Sequence, residues 1–88
     1  MFHCYNIRTT FTILGEMMQK FNQRVKLLRT EQAITQKQAA KEFGVTEVAW
    51  QRYESHYFPS LKNCLALADY FDVSLDYLFG RTDNRNVL

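Results

Sequence analysis

Residues 35–54 read TQKQAAKEFGVTEVAWQRYE, and this stretch decides the fold. Thr35 stands three residues before Gln38, a capping-box spacing in which the two side chains satisfy backbone donors that a helix start leaves unpaired. A helix is predicted from Gln36 to Phe43, burying Ala39, Ala40 and Phe43. Gly44 follows, and glycine adopts without penalty the left-handed backbone that ends a helix. Thr46 then offers a second N-cap, so another helix is predicted over about Glu47 to Ser55, with Trp50 and Tyr53 facing inward.

Outward from this stretch the signals stay helical. Phe21, Val25 and Leu28, widened by Leu27, give the apolar face of a helix from Glu16 to near Gln32. Downstream, Pro59 and Ser60 open a fourth helix with a stripe of Leu61, Leu65, Ala68 and Phe71. Ser74 caps a short fifth helix, Leu75 to Phe79, ended by Gly80, and RTDNRNVL beyond it reads as a polar tail. Residues 1–15 differ. Tyr5, Ile7, Thr9, Phe11 and Ile13 alternate with polar residues, a period of two that suggests a strand. Such an arm would pair with a second copy of itself or lie on the helical body; the other reading is a floppy extension ahead of Met17 and Met18. The expected organisation is an all-α, five-helix domain over residues 16–83, with an N-terminal extension at 1–15 and a tail at 84–88.

Composition narrows the function classes. With 88 residues, one domain is expected, and 47% hydrophobic content is that of a folded chain rather than a disordered one. No run approaches the roughly 18 apolar residues of a membrane span. Cys4 and Cys64 are too few for the disulfide framework of a small secreted domain, and with His3 and His56 they match no zinc spacing, so neither metal nor cofactor is expected. No signal peptide is read at the amino terminus, and the cytoplasm is the expected compartment. The net charge is only +2, yet residues 1–54 carry eight Lys and Arg against five Glu, so the basic excess lies with the quoted stretch and what precedes it.

Two helices joined by about three residues cross steeply, and the crossing demands a small residue, here Ala40. Counted from Gln36 as first, Ala40 is fifth, Gly44 ninth, Val45 tenth, Trp50 fifteenth and Tyr53 eighteenth, the pattern of a helix-turn-helix. The outer face of its second helix then projects, where it can enter a DNA major groove about 12 Å wide. The fragments RVKLLRTEQAITQKQAAKEFGV, TEVAWQRYE and PSLKNCLALADYFDVSLDYLFGRTDN together resemble the XRE family of lambda-repressor-like DNA-binding proteins, over about residues 19–83. The last of them looks especially like small regulators of Gram-positive bacteria and their mobile elements. The chain departs from the family pattern in Ser55-His56, where an Asn-Gly pair is usual, in a link to Pro59 one residue shorter, and in Trp50, where Ile or Val is usual. The larger Trp50 implies a third helix set slightly farther out.

The resemblance implies a structural ion pair between Arg29 and Glu54, and a phosphate-contacting role for Gln36. For base reading, the exposed face of the third helix offers Glu47, Val48, Gln51 and Arg52. Arg52 can donate two hydrogen bonds to guanine, Val48 can touch a thymine methyl, and Glu47 can accept from cytosine, although an acidic first turn is favoured by the helix dipole without any DNA. Phosphate contacts would fall to Gln36 and Thr46 at helix starts, with Gln51 as a further backbone candidate and Lys37 and Lys41 adding attraction. Tyr57 and Phe58 would pack on the sugar-phosphate backbone or cover the core.

A domain of this size reads few base pairs, so a homodimer on pseudo-palindromic double-stranded DNA is expected, with half-sites about 34 Å apart. Tyr70, Tyr77, Leu78 and Phe79 are candidates for its interface, or else complete the core, and the N-terminal arm is the second candidate. The function expected is a transcriptional regulator, in the sense of a repressor, with no membrane partner and no small-molecule ligand implied. An enzyme is not expected, because no nucleophile with a base and no phosphate-binding glycine loop is present. The alternative is an antitoxin-like or other protein-interaction module that keeps the fold without reading bases.

Overall fold

Thr35 Oγ1 accepts a hydrogen bond from the Gln38 amide at 3.0 Å, and Gln38 Oε1 accepts one from the Thr35 amide at 2.8 Å. This reciprocal pair starts the second helix of the computed structural model, which describes residues 7–87, with side chains over residues 14–87. The described chain is all-helical: α1 Ile7–Glu31, α2 Gln36–Phe43, α3 Glu47–Tyr53, α4 Leu61–Phe71 and α5 Leu75–Leu78.

Between α2 and α3 the turn is built on the Ala40 carbonyl, which accepts from the amides of both Gly44 and Val45 at 2.9 Å. Gly44 has φ +87°, while a Cβ placed on it would meet nothing within 4 Å, so backbone angle alone selects glycine here. Gly44→Ala is expected to lower stability by about 1–2 kcal/mol, read as a shifted urea midpoint at constant slope. An alanine variant as stable as the parent would show that the turn has a second accessible backbone.

The core gathers Phe21, Val25 and Leu28 of α1, Ala39 and Ala40 of α2, Trp50 and Tyr53 of α3, and the inner faces of α4 and α5. Phe43 is only partly buried, packed edge-on against Trp50 at 5.8 Å and Tyr53 at 6.2 Å. Trp50 is fully enclosed, with the rings of Tyr70 and Phe71 also on its flanks, so the bulk that replaces the usual Ile or Val is taken inside the core. Phe58 joins the core against Phe21 at 5.3 Å, whereas Tyr57 stays exposed with its ring stacked on Tyr53.

Several sequence expectations need correction. The alternating stretch from Ile7 to Gly15 is helix, not strand, and continues α1; residues 1–6 of the expected arm lie outside the described residues. The physical reason is that Ile7, Phe11 and Leu14 also fit a helical spacing. Propagating an existing helix satisfies the amides that a lone strand would leave open. Leu27 is exposed, and so are Leu61 and Leu65: α4 buries Ala68 and Phe71 of the expected stripe, but Cys64 and Leu67 in place of the two leucines. A leucine-rich helix carries two apolar stripes, and the fit of its neighbours selects one. α3 stops at Tyr53 rather than Ser55 because the amides of Ser55, His56 and Tyr57 all turn back to the Arg52 carbonyl. α5 ends one residue early, at Leu78.

Residues 81–86 are not a loose tail. The Ser74 amide donates to the Arg85 carbonyl at 2.8 Å, Arg24 Nη1 donates to the Thr82 carbonyl at 2.7 Å, and Arg24 Nη2 meets Asp83 at 2.8 Å. Arg85 closes the strap with two hydrogen bonds to the Glu31 carboxylate, at 2.8 and 2.7 Å. The Tyr77 ring packs under both guanidinium groups, 4.2 Å from Arg24 and 5.1 Å from Arg85. Tyr77 and Leu78 are therefore core residues, 5% and 0% exposed, and are not free to form a dimer interface. Phe79 is half-buried against Phe21 and Phe58, and half-buried Tyr70 donates its hydroxyl to Glu42 at 2.6 Å.

Candidate nucleic-acid interface

α3 is only seven residues long, too short to hold itself, so the surrounding structure must fix both its ends. At the front, Thr46 Oγ1 accepts from the Ala49 amide at 3.1 Å, which leaves the hydroxyl proton free to donate. At the back, buried Asn22 of α1 donates through Nδ2 to the carbonyls of Tyr53 and Tyr57, at 2.6 and 2.9 Å. This one amide ties the last residue of α3 and the shortened loop after it to α1. Sequence reasoning missed Asn22; its signal was a polar residue set directly beside the buried Phe21.

Glu54, the residue that caps the C-terminal end of α3, gathers donors from three helices. Arg29 of α1 donates through Nε at 2.5 Å and Nη2 at 3.1 Å, Gln36 of α2 through Nε2 at 3.0 Å, and Trp50 of α3 through Nε1 at 2.5 Å. The carboxylate side chain is 3% exposed and that of Arg29 14%. Burial by itself pushes the Glu54 carboxyl up, but the hydrogen bonds from Arg29, Gln36 and Trp50, with the Arg29 charge, outweigh it and hold the carboxyl below its ordinary value. Arg29 also donates to the Ile34 carbonyl at 2.7 Å, fastening the turn that leads into α2. The side-chain amide of Gln36 is thus engaged inside the domain as well as lying at the start of a helix.

With its inner face anchored by Trp50 and Tyr53, α3 presents Glu47, Val48, Gln51 and Arg52 on its outer face, all four exposed. Val48 is 57% exposed, an apolar side chain held in water next to two polar neighbours that can hydrogen-bond. Thr46, Lys37 and Lys41 are exposed on the same two-helix unit. The arrangement combines bidentate donor, acceptor and apolar groups on one narrow helix, with hydroxyl and ammonium groups beside it. Among the described residues, no three His, Cys, Asp or Glu side chains gather as a metal site requires, and no helix is long and apolar enough to cross a membrane. Cys64 is buried, its thiol donating to the Pro59 carbonyl and pushed up in pKa by desolvation, a packing role.

A family model described as helix-turn-helix matches residues 25–78, well over half of the chain. The chain belongs to the XRE-type helix-turn-helix family. In Bacillus subtilis strain 168, the uncharacterised HTH-type transcriptional regulator YobD is 35% identical over 63 residues, covering 70% of this chain and 56% of that protein. A second uncharacterised HTH-type transcriptional regulator of that organism, YqaE, is 32% identical over 68 residues, covering 76% of this chain and 59% of the relative. The chain thus spans less than two thirds of the length of these relatives. No solved structure matches it. The family match spans α2 to α5 and the C-terminal end of α1 with Arg29, the unit that carries the exposed face, and begins three residues after Asn22.

Proposed function

We propose that this helix-turn-helix protein is a DNA-binding transcriptional regulator that acts as a repressor, with α3 entering the major groove and two copies bound to a pseudo-palindromic operator. The observation that carries this reading is the outer face of α3, where Val48, Gln51 and Arg52 are exposed on a helix fixed at both ends by side chains of the domain. The names of both Bacillus subtilis relatives, HTH-type transcriptional regulators, support it. In this reading Arg52 donates to guanine O6 and N7, Val48 contacts a thymine methyl, Gln51 and Glu47 complete the base-facing set, and Thr46, Gln36, Lys37 and Lys41 hold phosphates. The compartment that goes with it is the cytoplasm.

Selection from a random duplex library supplies the operator, after which Arg52→Ala is the test. The variant is expected to keep its melting temperature and to lose roughly 5- to 100-fold in affinity for the selected site, with relaxed preference at one base pair. Binding to random duplex DNA is expected to weaken steeply with salt. Absence of any duplex binding at low salt would reject the reading in favour of a protein-interaction module on the same fold.

A further inference from the structure

Asn22 of α1 is 5% exposed and lies outside the family match. A buried amide is costly unless its hydrogen bonds are made, and this one directs both protons of Nδ2 to one place, the carbonyls of Tyr53 and Tyr57. Both neighbours are acceptors, so only the nitrogen of the amide can face them. An ionised aspartate, which has no proton to donate, cannot stand in for it.

Between those two carbonyls the chain makes a tight turn. The amides of Ser55, His56 and Tyr57 converge on the Arg52 carbonyl at 3.1, 3.3 and 3.0 Å, and the Ser55 hydroxyl donates to the Gln51 carbonyl at 2.9 Å. The Tyr57 ring stacks on that of Tyr53, centroids 6.0 Å apart, and closes the turn from outside. The last carbonyls of a helix have no partners within it, so in α3 the loop residues supply them, while Asn22 grips that loop at both ends. The Glu54 carboxylate fixes where α3 ends; Asn22 fixes how the chain turns after it. Gln51 and Arg52, exposed on the outer face, therefore have their backbone held by a turn that α1 pins. The other end of the two-helix unit does not depend on this turn, because Thr46 caps the front of α3 and α2 has its own capping box.

We propose that Asn22 is a positioning residue for base reading: by clamping the turn from Tyr53 to Tyr57 onto α1, it fixes the backbone of Arg52 and sharpens discrimination at the base pair Arg52 meets. Asn22 is buried and does not itself reach a duplex. The inference rests on the DNA-binding reading above. A guanidinium that must donate two hydrogen bonds in one plane to guanine tolerates little freedom at its root. Attraction to phosphates acts at longer range and carries no sequence information, so it tolerates more. Loosening the turn therefore removes selectivity before it removes binding.

The test compares the duplex that the parent selects, the same duplex changed at the base pair where Arg52→Ala relaxes preference, and random duplex. For Asn22→Ala, measured well below its melting temperature, the affinity ratio between the first two is expected to fall by roughly 3- to 30-fold, while affinity for random duplex stays within about twofold of the parent. In an Arg52→Ala background the same substitution should change the ratio little, because its effect runs through Arg52. Asn22→Ser, which keeps one donor, should fall between parent and alanine, and it takes over the same measurements if the alanine chain does not fold. Equal losses on all three duplexes would make Asn22 a stability residue only and overturn the proposal, as would an undiminished ratio or a loss that persists without Arg52. If Arg52→Ala relaxes no position, Arg52 is not the reader and the inference falls with it. A parent that binds no duplex at low salt rejects the DNA-binding reading and this inference together; a selective parent matched by an equally selective Asn22→Ala rejects this inference alone.

Discussion

Glu54→Ala is expected to lower the unfolding free energy by about 3–5 kcal/mol, a large share of what a domain of this size possesses. The loss goes beyond one ion pair. The alanine would strand the Arg29 guanidinium, the Gln36 amide and the Trp50 indole N–H, donors from three different helices, at a site where the carboxylate side chain is only 3% exposed. Arg29→Ala should also unfold more easily, because it leaves the Glu54 carboxylate buried with neutral donors alone. An Arg29→Ala protein that kept its melting temperature while losing DNA affinity would instead make Arg29 a phosphate contact.

The same cluster fixes a pH dependence. The folded Glu54 carboxyl takes its proton at a lower pH than the ordinary value of 4.5, so over that interval the unfolded chain binds more protons than the folded one. Its contribution is complete above 4.5 and is lost as pH falls through the lowered value in the fold. Glu31 is shifted the same way by its hydrogen bonds to Arg85, so acid unfolding of the parent alone is not diagnostic. The difference between parent and Glu54→Gln isolates the cluster. It should be largest above 4.5 and shrink below it; a difference independent of pH would mean that the Glu54 charge contributes nothing.

Trp50→Ala is expected to cost about 3–5 kcal/mol, since a fully enclosed indole leaves a cavity that the rings of Phe43, Tyr70 and Phe71 cannot close without shifting. Trp50 is the chain's sole tryptophan, so unfolding of the variant has to be followed by circular dichroism. DNA affinity should fall with it, because the ring that anchors α3 also donates to Glu54 at the helix end. A loss under about 1 kcal/mol would show that α3 is held from its ends rather than from its inner face.

What was legible in the sequence was whatever short-range chemistry specifies. The Thr35 box and the Gly44 stop give α2 its observed bounds, because both act within one turn of the residue that carries them. Exposure of Glu47, Val48, Gln51 and Arg52 follows from the helical period once Trp50 and Tyr53 point inward. The Arg29 and Glu54 pairing entered only through the family resemblance, since nothing local links residues 25 apart. The N-terminal strand reading failed because Ile7, Phe11 and Ile13 suit a period of two, while Ile7, Phe11 and Leu14 suit the helical one. A strand needs a partner, whereas a helix already under way needs only its next residue.

The chain by itself determined five helices, their caps and the glycine turn between α2 and α3, through hydrogen bonds and steric limits confined to neighbours in sequence. Tertiary structure alone decided which leucine stripe of α4 is buried, that Tyr77 and Leu78 belong to the core, and that residues 81–86 strap back onto α1. It alone set Asn22 under the end of α3. These are contacts between residues 31 to 59 positions apart where a hydrogen bond is involved, and apolar or amide groups do not encode their partners. The partner is selected by which surfaces remain to be covered once the helices have met.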